Sequence, residues 1–279
     1  MAMRMKTYRP EELKSPLGIV AGGGQFPILC ARAARKLGLK VVAVGFNGET
    51  DPLLENEVDL LHWLYIGQLE RLIKVLKKAG TRQVLFQGTI TKKRIFRDVR
   101  PDLRALILWS KIRRRLDDNI LRAIASELEA EGLEVIPSTT LLPDLVAPKG
   151  VLTKRSPSKD QWQDIHFGLE LAKKIGELDI GQCIVVKDRT VLAVEAIEGT
   201  DSTIKRGGEL GGKDTVVVKV CKPNQDIRFD LPSVGLKTIE TMEKVKAKVL
   251  AVEAGKTLIF DRDKVIELAN SLGIIIVAQ

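Results

Sequence analysis

Asp226, Arg228 and Asp230 occupy alternate positions in the stretch Lys219-Val220-Cys221-Lys222-Pro223-Asn224-Gln225-Asp226-Ile227-Arg228-Phe229-Asp230-Leu231-Pro232. In extended backbone alternate side chains share a face. The charged trio then lines one side, and Ile227, Phe229 and Leu231 line the other. Pro223 and Pro232 bracket the segment and restrict its backbone. A carboxylate fixed beside a guanidinium suits phosphate and metal chemistry: the cation pairs with phosphate oxygens, and the carboxylate takes a hard cation. An amphipathic strand with a surface ion pair is the plainer account of the same pattern.

Two further clusters bear on that choice. Gly22-Gly23-Gly24 follows an apolar run and precedes a helical one, so its backbone N–H groups could meet a phosphate or sugar. Phe26 and Pro27 break the GxGxxG pattern, and no GK[ST] ending makes a P-loop. A tight turn without a ligand explains the glycines equally well. In Val194-Glu195-Ala196-Ile197-Glu198-Gly199-Thr200-Asp201 an apolar strand runs into acidic residues and a glycine turn. Glu195 lies inside the apolar run, where a charge requires a partner or a cation. Thr200 and Asp201 also suit a turn or a helix cap, and Asp117-Asp118 reads most simply as a cap.

Composition narrows the chemistry. There are only two histidines, His62 and His166, and three scattered cysteines, Cys30, Cys183 and Cys221. A histidine-rich zinc centre is excluded, the thiols read as buried and reduced, and a catalytic metal must rest on carboxylates. That points to magnesium (Mg2+), with manganese (Mn2+) as substitute. The formal net charge is +9. Much of it gathers in Lys92, Lys93, Arg94, Arg97, Arg100 and Arg104, then Lys111, Arg113, Arg114 and Arg115, interrupted by Asp98 and Asp102. Such a patch suits nucleic acid, an anionic membrane surface or an acidic ligand. Aromatics are 4% of the chain and none interleaves as a stacking motif, which argues against nucleic acid. Leu106-Ile107-Leu108-Trp109 inside this region reads as ordinary helix core or as an apolar membrane contact. No apolar run is long enough to cross a bilayer, and Met1 to Pro16 has no signal-peptide core, so a cytoplasmic location is expected.

Elements that would position these groups follow from periodicity. Leu17–Ala21 reads as a buried strand, Ile28–Leu37 as a helix, Lys40–Phe46 as a strand, Leu69–Lys78 as an amphipathic helix and Gln83–Gln87 as a strand. A helix placing Leu121, Ile124 and Leu128 on one face follows, capped by Asp118, and then a strand at Leu133–Ile136. This alternation predicts an α/β layer with a largely parallel sheet. Prolines and Gly150 punctuate Leu141 to Pro157, which sets the domain boundary. Beyond it come a helix through Leu169, Ala172 and Ile175, a hairpin of Cys183–Lys187 with Val191–Ala196, and a flexible loop framed by Gly207-Gly208 and Gly211-Gly212. Strands at Thr215–Val220, Val249–Glu253, Thr257–Phe260 and Ile274–Val277, with a helix at Asp263–Leu272, complete the chain. The fold class expected is α/β in two domains. Residues 1–145 form a Rossmann-like N-terminal α/β domain, and residues 146–279 a mixed α+β C-terminal catalytic domain.

Taken in order, the motifs resemble the LpxI family, UDP-2,3-diacylglucosamine pyrophosphatases of lipid A biosynthesis, across nearly the whole chain. The resemblance rests on Gly18-Ile19-Val20-Ala21-Gly22-Gly23-Gly24 with Pro27, Asp117-Asp118, Leu178-Asp179-Ile180-Gly181-Gln182, and Ala193-Val194-Glu195-Ala196 with Glu198-Gly199-Thr200-Asp201. It continues through Lys222-Pro223, Gln225-Asp226, Arg228-Phe229-Asp230-Leu231-Pro232 and Glu253-Ala254-Gly255. Met1 to Ser15 lies outside it. The resemblance implies hydrolysis of UDP-2,3-diacylglucosamine to 2,3-diacylglucosamine 1-phosphate (lipid X) and UMP, with water attacking the sugar-linked phosphorus. It also implies magnesium dependence, a ligand enclosed between the domains and a peripheral place on the inner membrane. It puts the essential aspartate at Asp230, as metal ligand or general base. Glu195 and Glu198 are further metal candidates. Gly22, Gly23, Gly24, Gln25, Gln182, Thr200, Asp201, Lys222, Gln225 and Arg228 are the substrate-binding candidates. A homodimer is left open. The rival readings are a glycolipid-binding protein without turnover and a dinucleotide-dependent enzyme.

Overall fold

The computed structural model describes residues 8–90, 99–112, 117–223, 225–229 and 231–279, with the side chains of residues 117 and 118 excepted. The chain divides into two compact units. The first comprises Met1–Pro143 and Asp226–Phe229, and the second comprises Asp144–Gln225 and Asp230–Gln279.

The first unit is built on five parallel strands, β1 (Leu17–Ala21), β2 (Val41–Phe46), β3 (Leu60–Leu64), β4 (Gln83–Gln87) and β5 (Glu134–Val135). Their order is β3-β2-β1-β4-β5. Every residue of β1 is buried, because helices cover both faces of a parallel sheet. Alternation still sorts the side chains. Leu17, Ile19 and Ala21, with Val41, Ala43 and Leu85, pack towards α1 (Phe26–Lys36). Val20, Val44, Val84 and Phe86 pack on the other face, against α2 (Leu69–Lys78) and a later helix. In α2, Leu69, Leu72, Ile73 and Leu76 are the buried set, the helical spacing seen in the sequence. Helix α3 (Leu103–Lys111) and helix α4 (Asp117–Ala130) follow. Leu128 of α4 is fully buried, with Leu121 and Ile124 packed beside it. Strand β3 was not visible in the sequence: it lies at the sheet edge, is mostly half-buried, and carries His62 and Trp63 in place of a clean apolar run.

The second unit holds β6 (Gly150–Val151), β7 (Cys183–Lys187), β8 (Thr190–Val194), β9 (Val216–Lys219), β10 (Ser233–Val234), β11 (Val249–Val252), β12 (Leu258–Ile259) and β13 (Ile275–Ala278). Its main sheet runs β6-β13-β11-β9-β7-β8, and β10 pairs with β12 separately. Strands β13, β11 and β9 are parallel, while β6, β7 and β8 join antiparallel, so the sheet is mixed. Helix α5 (Lys159–Glu177) covers one face through Ile165 and Ala172. Helices α6 (Thr200–Gly211), α7 (Leu236–Lys244) and α8 (Arg262–Leu272) cover the other through Ile204, Ile239, Met242, Val265 and Ala269.

Where a flexible loop was expected at Gly207 to Gly212, the chain instead stays helical through Gly211 as the last turns of α6, and Gly212 caps it. These glycines permit close contact. A Cβ at Gly207 would lie 2.5 Å from Val185 Cβ, and one at Gly208 would lie 2.4 Å from Val245 Cβ. The helix therefore rests directly on β7. Gly207→Ala is expected to destabilise the chain by about 1–3 kcal/mol through overpacking, despite alanine's better helix propensity. Urea unfolding checks this; an unchanged or raised midpoint would show that the helix can lift without cost.

Candidate active site

In the first unit the glycine loop leaves the carboxyl end of β1 beside the carboxyl end of β4. Strand order reverses there, and open α/β sheets offer a ligand crevice at that point. Gly22 N–H donates to Gln87 O at 2.7 Å, and Gly23 N–H to Thr89 O at 2.7 Å. A Cβ at Gly22 would sit 2.6 Å from Thr89 O, and one at Gly88 would sit 2.5 Å from Gly23 O. Gly22 and Gly23 thus let two backbone segments cross closely, and their N–H groups are engaged in doing so. Gly24 differs: its φ is +88° and a Cβ there would meet nothing within 4 Å. Gly24 and Gln25 are exposed, and Gln25 immediately precedes α1.

The segment Asp226–Phe229 belongs to the first unit and is a turn, which corrects the extended strand expected from the sequence. Local hydrogen bonds outcompete the ladder. Asp226 Oδ1 accepts Arg228 N–H at 3.1 Å, and Phe229 N–H closes the turn onto Asp226 O at 3.0 Å. Arg228 then folds back, with Nε 3.0 Å from Asp226 Oδ1 and Nη2 2.8 Å from Oδ2. Its Nη1 reaches Glu129 Oε1 of α4 at 2.6 Å. Phe229 meets Phe86 of β4 edge-on, centroids 5.4 Å apart. Burial pushes the Asp226 carboxyl up, but hydrogen bonds from Arg228 outweigh it and hold the group below the usual aspartate range. The Arg228 guanidinium is raised in turn, chiefly by Asp226. Arg228 thus anchors the turn onto β4 and α4. Asp230, the next residue in sequence, lies outside the described residues, as do Asn224 and the side chains of Asp117 and Asp118.

In the second unit the remaining candidates follow the ends of strands at one end of the mixed sheet, where β7 starts and β8 and β9 finish. Gln182 precedes β7, Glu195 follows β8, Thr200 opens α6, and Lys222 and Gln225 follow β9. Glu195 is 7% exposed. Its Oε1 accepts the Thr200 hydroxyl at 2.8 Å and its Oε2 accepts Gln182 N–H at 3.2 Å. This buried charge is stabilised by donors in the way the sequence required. Beside it, Gln182 Oε1 is buried with no hydrogen-bond partner among the described residues. Lys222 Nζ lies 2.7 Å from Asp179 Oδ1, and Gln225 Oε1 accepts Lys222 N–H at 3.1 Å. Glu198 pairs with Arg206 at 2.6 Å and accepts Ala196 N–H at 3.1 Å. Hydrogen bonds from its own N–H and from Arg206 hold its carboxyl below the usual range. Asp201 pairs with Lys237 at 2.8 Å and lines an open groove of ≈ 720 Å³ with Lys205, Lys213 and Lys244.

Glu253, directly after β11, is a further buried carboxylate outside the expected set. It is buried, accepts Cys221 N–H at 3.3 Å and meets Lys256 at 2.8 Å and Lys173 at 3.5 Å. The signal was available: Val249-Leu250-Ala251-Val252-Glu253 is another apolar strand ending in a carboxylate, like Val194-Glu195. All three cysteines are buried and free, as the sequence suggested. Burial, then the nearby Glu195 charge, pushes the Cys183 thiol up to about 12.

A divalent cation needs several oxygen donors converging on one point. Among the described residues no group of three or more His, Cys, Asp or Glu converges in that way. Both oxygens of Glu195 are engaged and Glu198 is ion-paired. The described carboxylates therefore do not form a magnesium shell.

Comparison with known proteins identifies the family. The model of the LpxI N-terminal domain matches residues 16–145, and that of the LpxI C-terminal domain matches residues 148–277. The chain is similar to UDP-2,3-diacylglucosamine pyrophosphatase LpxI of Caulobacter vibrioides, 34% identical over 271 residues, covering 93% of this chain and 96% of that protein. Among solved structures, N5-carboxyaminoimidazole ribonucleotide synthetase with ADP aligns at 14% identity and a TM-score of 0.29, covering 66% of this chain and 39% of that one. The biotin carboxylase domain of Hydrogenobacter thermophilus 2-oxoglutarate carboxylase aligns at 15% and 0.27, covering 62% and 35%. The chain spans 34% of the length of the biotin carboxylase domain of a thermophilic 2-oxoglutarate carboxylase bound to ADP. Scores this low carry no structural argument.

Proposed function

Because the chain belongs to the LpxI family, we propose that it is a UDP-2,3-diacylglucosamine pyrophosphatase, releasing UMP and lipid X at the cytoplasmic side of the inner membrane. Matches to both domains of the family support this reading, as does a relative of nearly the same length bearing that name.

The reaction adds water across one phosphoric anhydride. The water oxygen bonds to the sugar-linked phosphorus, the bond from that phosphorus to the bridging oxygen breaks, and UMP departs with the bridging oxygen. The water gives up a proton. Asp230 is the carboxylate proposed to carry the step, as base or as metal ligand. Lys222 suits the phosphate oxygens as a charged donor. Exposed Gly24 and Gln25 at the head of α1 suit an anionic group in the same way.

The observation that carries the reading is the knot of Glu195, Thr200 and Gln182. A buried carboxylate fixes Gln182 through its N–H, while the side-chain oxygen of Gln182 is buried without a hydrogen-bond partner among the described residues. An orphaned acceptor of this kind is costly unless a ligand donor satisfies it. A sugar hydroxyl or acyl-amide N–H is the donor this substrate offers. Magnesium, with manganese as substitute, belongs to the same proposal. The described carboxylates supply no shell for it, so it stands on a chelator test.

UMP release from UDP-2,3-diacylglucosamine in detergent micelles, followed by chromatography with magnesium or with chelator, tests the proposal. Release that requires the metal supports it in full. Binding without UMP under both conditions would make the chain a glycolipid-binding protein.

A further inference from the structure

Two glutamines share one face of β4. Gln83 and Gln87 bracket Leu85, which packs with Leu17, Ile19 and Ala21 towards α1. Alternation therefore turns both carboxamides to the α1 side of the sheet. Both residues are buried, at 2% and 4% exposure. Their hydrogen bonding is opposite. At the amino end of the strand Gln83 is engaged on both atoms: its Oε1 accepts Lys14 N–H at 2.7 Å, and its Nε2 donates to Glu12 O at 3.3 Å and Glu134 Oε2 at 3.2 Å. At the carboxyl end Gln87 Nε2 is buried with no hydrogen-bond partner among the described residues. A buried amide donor without an acceptor bears its full desolvation cost, so this atom calls for an acceptor on a ligand.

Gln87 faces the crevice at the head of α1. Its register partner on β1 is Ala21, the last residue before the glycine loop, and its own O accepts Gly22 N–H. The carboxamide thus stands under that loop, and Gln25, which precedes α1, makes no side-chain cap bond. Glu49, after β2, comes to the same loop: a Cβ at Gly23 would lie 3.5 Å from its Oε2. Ser138 and Thr140, after β5, are buried at the same end of the sheet. The segments that leave these four strands, residues 21–25, 47–50, 87–90 and 136–140, contain no lysine or arginine. Amides, hydroxyls and one carboxylate suit a neutral, hydrogen-bonding group here better than a phosphate.

We infer that this end of the first unit is a uridine subsite, in which Gln87 Nε2 donates to a carbonyl oxygen of the uracil ring and Glu49 accepts a ribose hydroxyl. The inference rests on the proposed substrate for the identity of the nucleoside. Uracil is the planar, neutral group of that substrate, and it sets carbonyl acceptors beside an N–H. A carboxamide, one donor group and one acceptor in a plane, matches that edge. A carboxylate at the end of the neighbouring strand suits a ribose in the same crevice, where open α/β sheets take their ligands. Gln87 is then the residue that reads the base, and the head of α1 is left for the phosphate on the ribose.

The test is calorimetric titration of the purified full chain with UMP and with ribose 5-phosphate, which keeps sugar and phosphate but lacks the base. The wild type is expected to bind UMP more tightly. Gln87→Met keeps the length of the side chain without its polar atoms. It should weaken UMP about tenfold and leave ribose 5-phosphate unchanged. Gln87→Glu, an acceptor where a donor is needed, should weaken UMP at least as much. In micelles Gln87→Met should raise KM for UDP-2,3-diacylglucosamine by a similar factor, more than it lowers kcat. Stability supplies a sign that a purely structural role would reverse. Gln87→Met removes a buried donor that has no partner, so Tm should stay equal or rise, whereas Gln83→Met should lower it. Undiminished UMP binding by Gln87→Met overturns the inference, as does an equal loss of UMP and ribose 5-phosphate or a fall in Tm like that of Gln83→Met. A wild type that binds UMP no better than ribose 5-phosphate overturns it too. UMP binding that depends on Gln87, without UMP release from the substrate, would sustain the subsite and sink the hydrolase. UMP release with a KM that Gln87→Met leaves unmoved would do the reverse.

Discussion

Asp230→Ala is expected to lower kcat by about a hundredfold to ten-thousandfold, with the dissociation constant for UDP-2,3-diacylglucosamine little changed. The expectation comes partly from what the other carboxylates are doing. Asp226 is paired with Arg228 and held below the ordinary range, which makes it a poor proton acceptor. Glu195 is bound on both oxygens, Glu198 by Arg206 and Ala196, and Glu253 by Cys221 N–H and two lysines. Each of these supports local structure already. Asp230, next in sequence to the anchored Phe229, is the aspartate that the family resemblance singles out. Turnover by purified Asp230→Ala, with titration of substrate binding, checks this. Residual activity within a few-fold of wild type would move the reaction to one of the engaged carboxylates.

The second large effect is expected at Arg228. Its guanidinium bonds the Asp226 carboxylate through two nitrogens and Glu129 through the third. Arg228→Ala leaves the buried Asp226 charge without its main partner. Breaking a fully buried pair costs about 3–5 kcal/mol; Arg228 keeps some exposure, so about 1–3 kcal/mol is expected here. Arg228→Lys should restore little, because a point charge cannot span both carboxylates. Turnover should fall as well, since the turn ends one residue before Asp230. The pH dependence has a definite sign. Asp226 has a lowered folded pKa, so its contribution is present above the ordinary aspartate range and is lost as pH falls through the lowered value. The Tm gap between wild type and Arg228→Ala should therefore narrow between about pH 7 and about pH 3. A gap equal at both would mean that the ion pair contributes nothing.

How much of this was legible depended on what set each element. Strand-loop-helix-strand at Leu17 to Phe46 was readable because a buried parallel strand is a plain apolar run closed by glycines. The hairpin at Asp188-Arg189 was readable because strand alternation stops there, and both residues do take positive φ. Where tertiary packing set the conformation, the sequence misled. Gly207 and Gly208 look like loop formers, yet they are helical because Val185 and Val245 leave no room for a Cβ. Asp226 to Phe229 alternates like a strand, yet Asp226 captures the Arg228 N–H and Phe229 finds Phe86. Leu106 and Ile107 suggest core, yet α3 is oriented by Arg104 and its three glutamates. Of the candidate site, Glu195 was legible from its misplaced charge. Its partners Thr200 and Gln182 were named as substrate ligands, and the structure shows what they do for Glu195. Glu253 was legible in the same way, as a carboxylate closing an apolar strand, whereas Glu129, on a helix face, carried no such signal.

Hydrolysis of UDP-2,3-diacylglucosamine in ¹⁸O-water, with products resolved by mass spectrometry, tests the central claim most directly. The expected result is UMP without label and lipid X carrying one ¹⁸O in its phosphate. Label in UMP would place the attack on the other phosphorus, and intact substrate bound to the protein would contradict the hydrolase altogether.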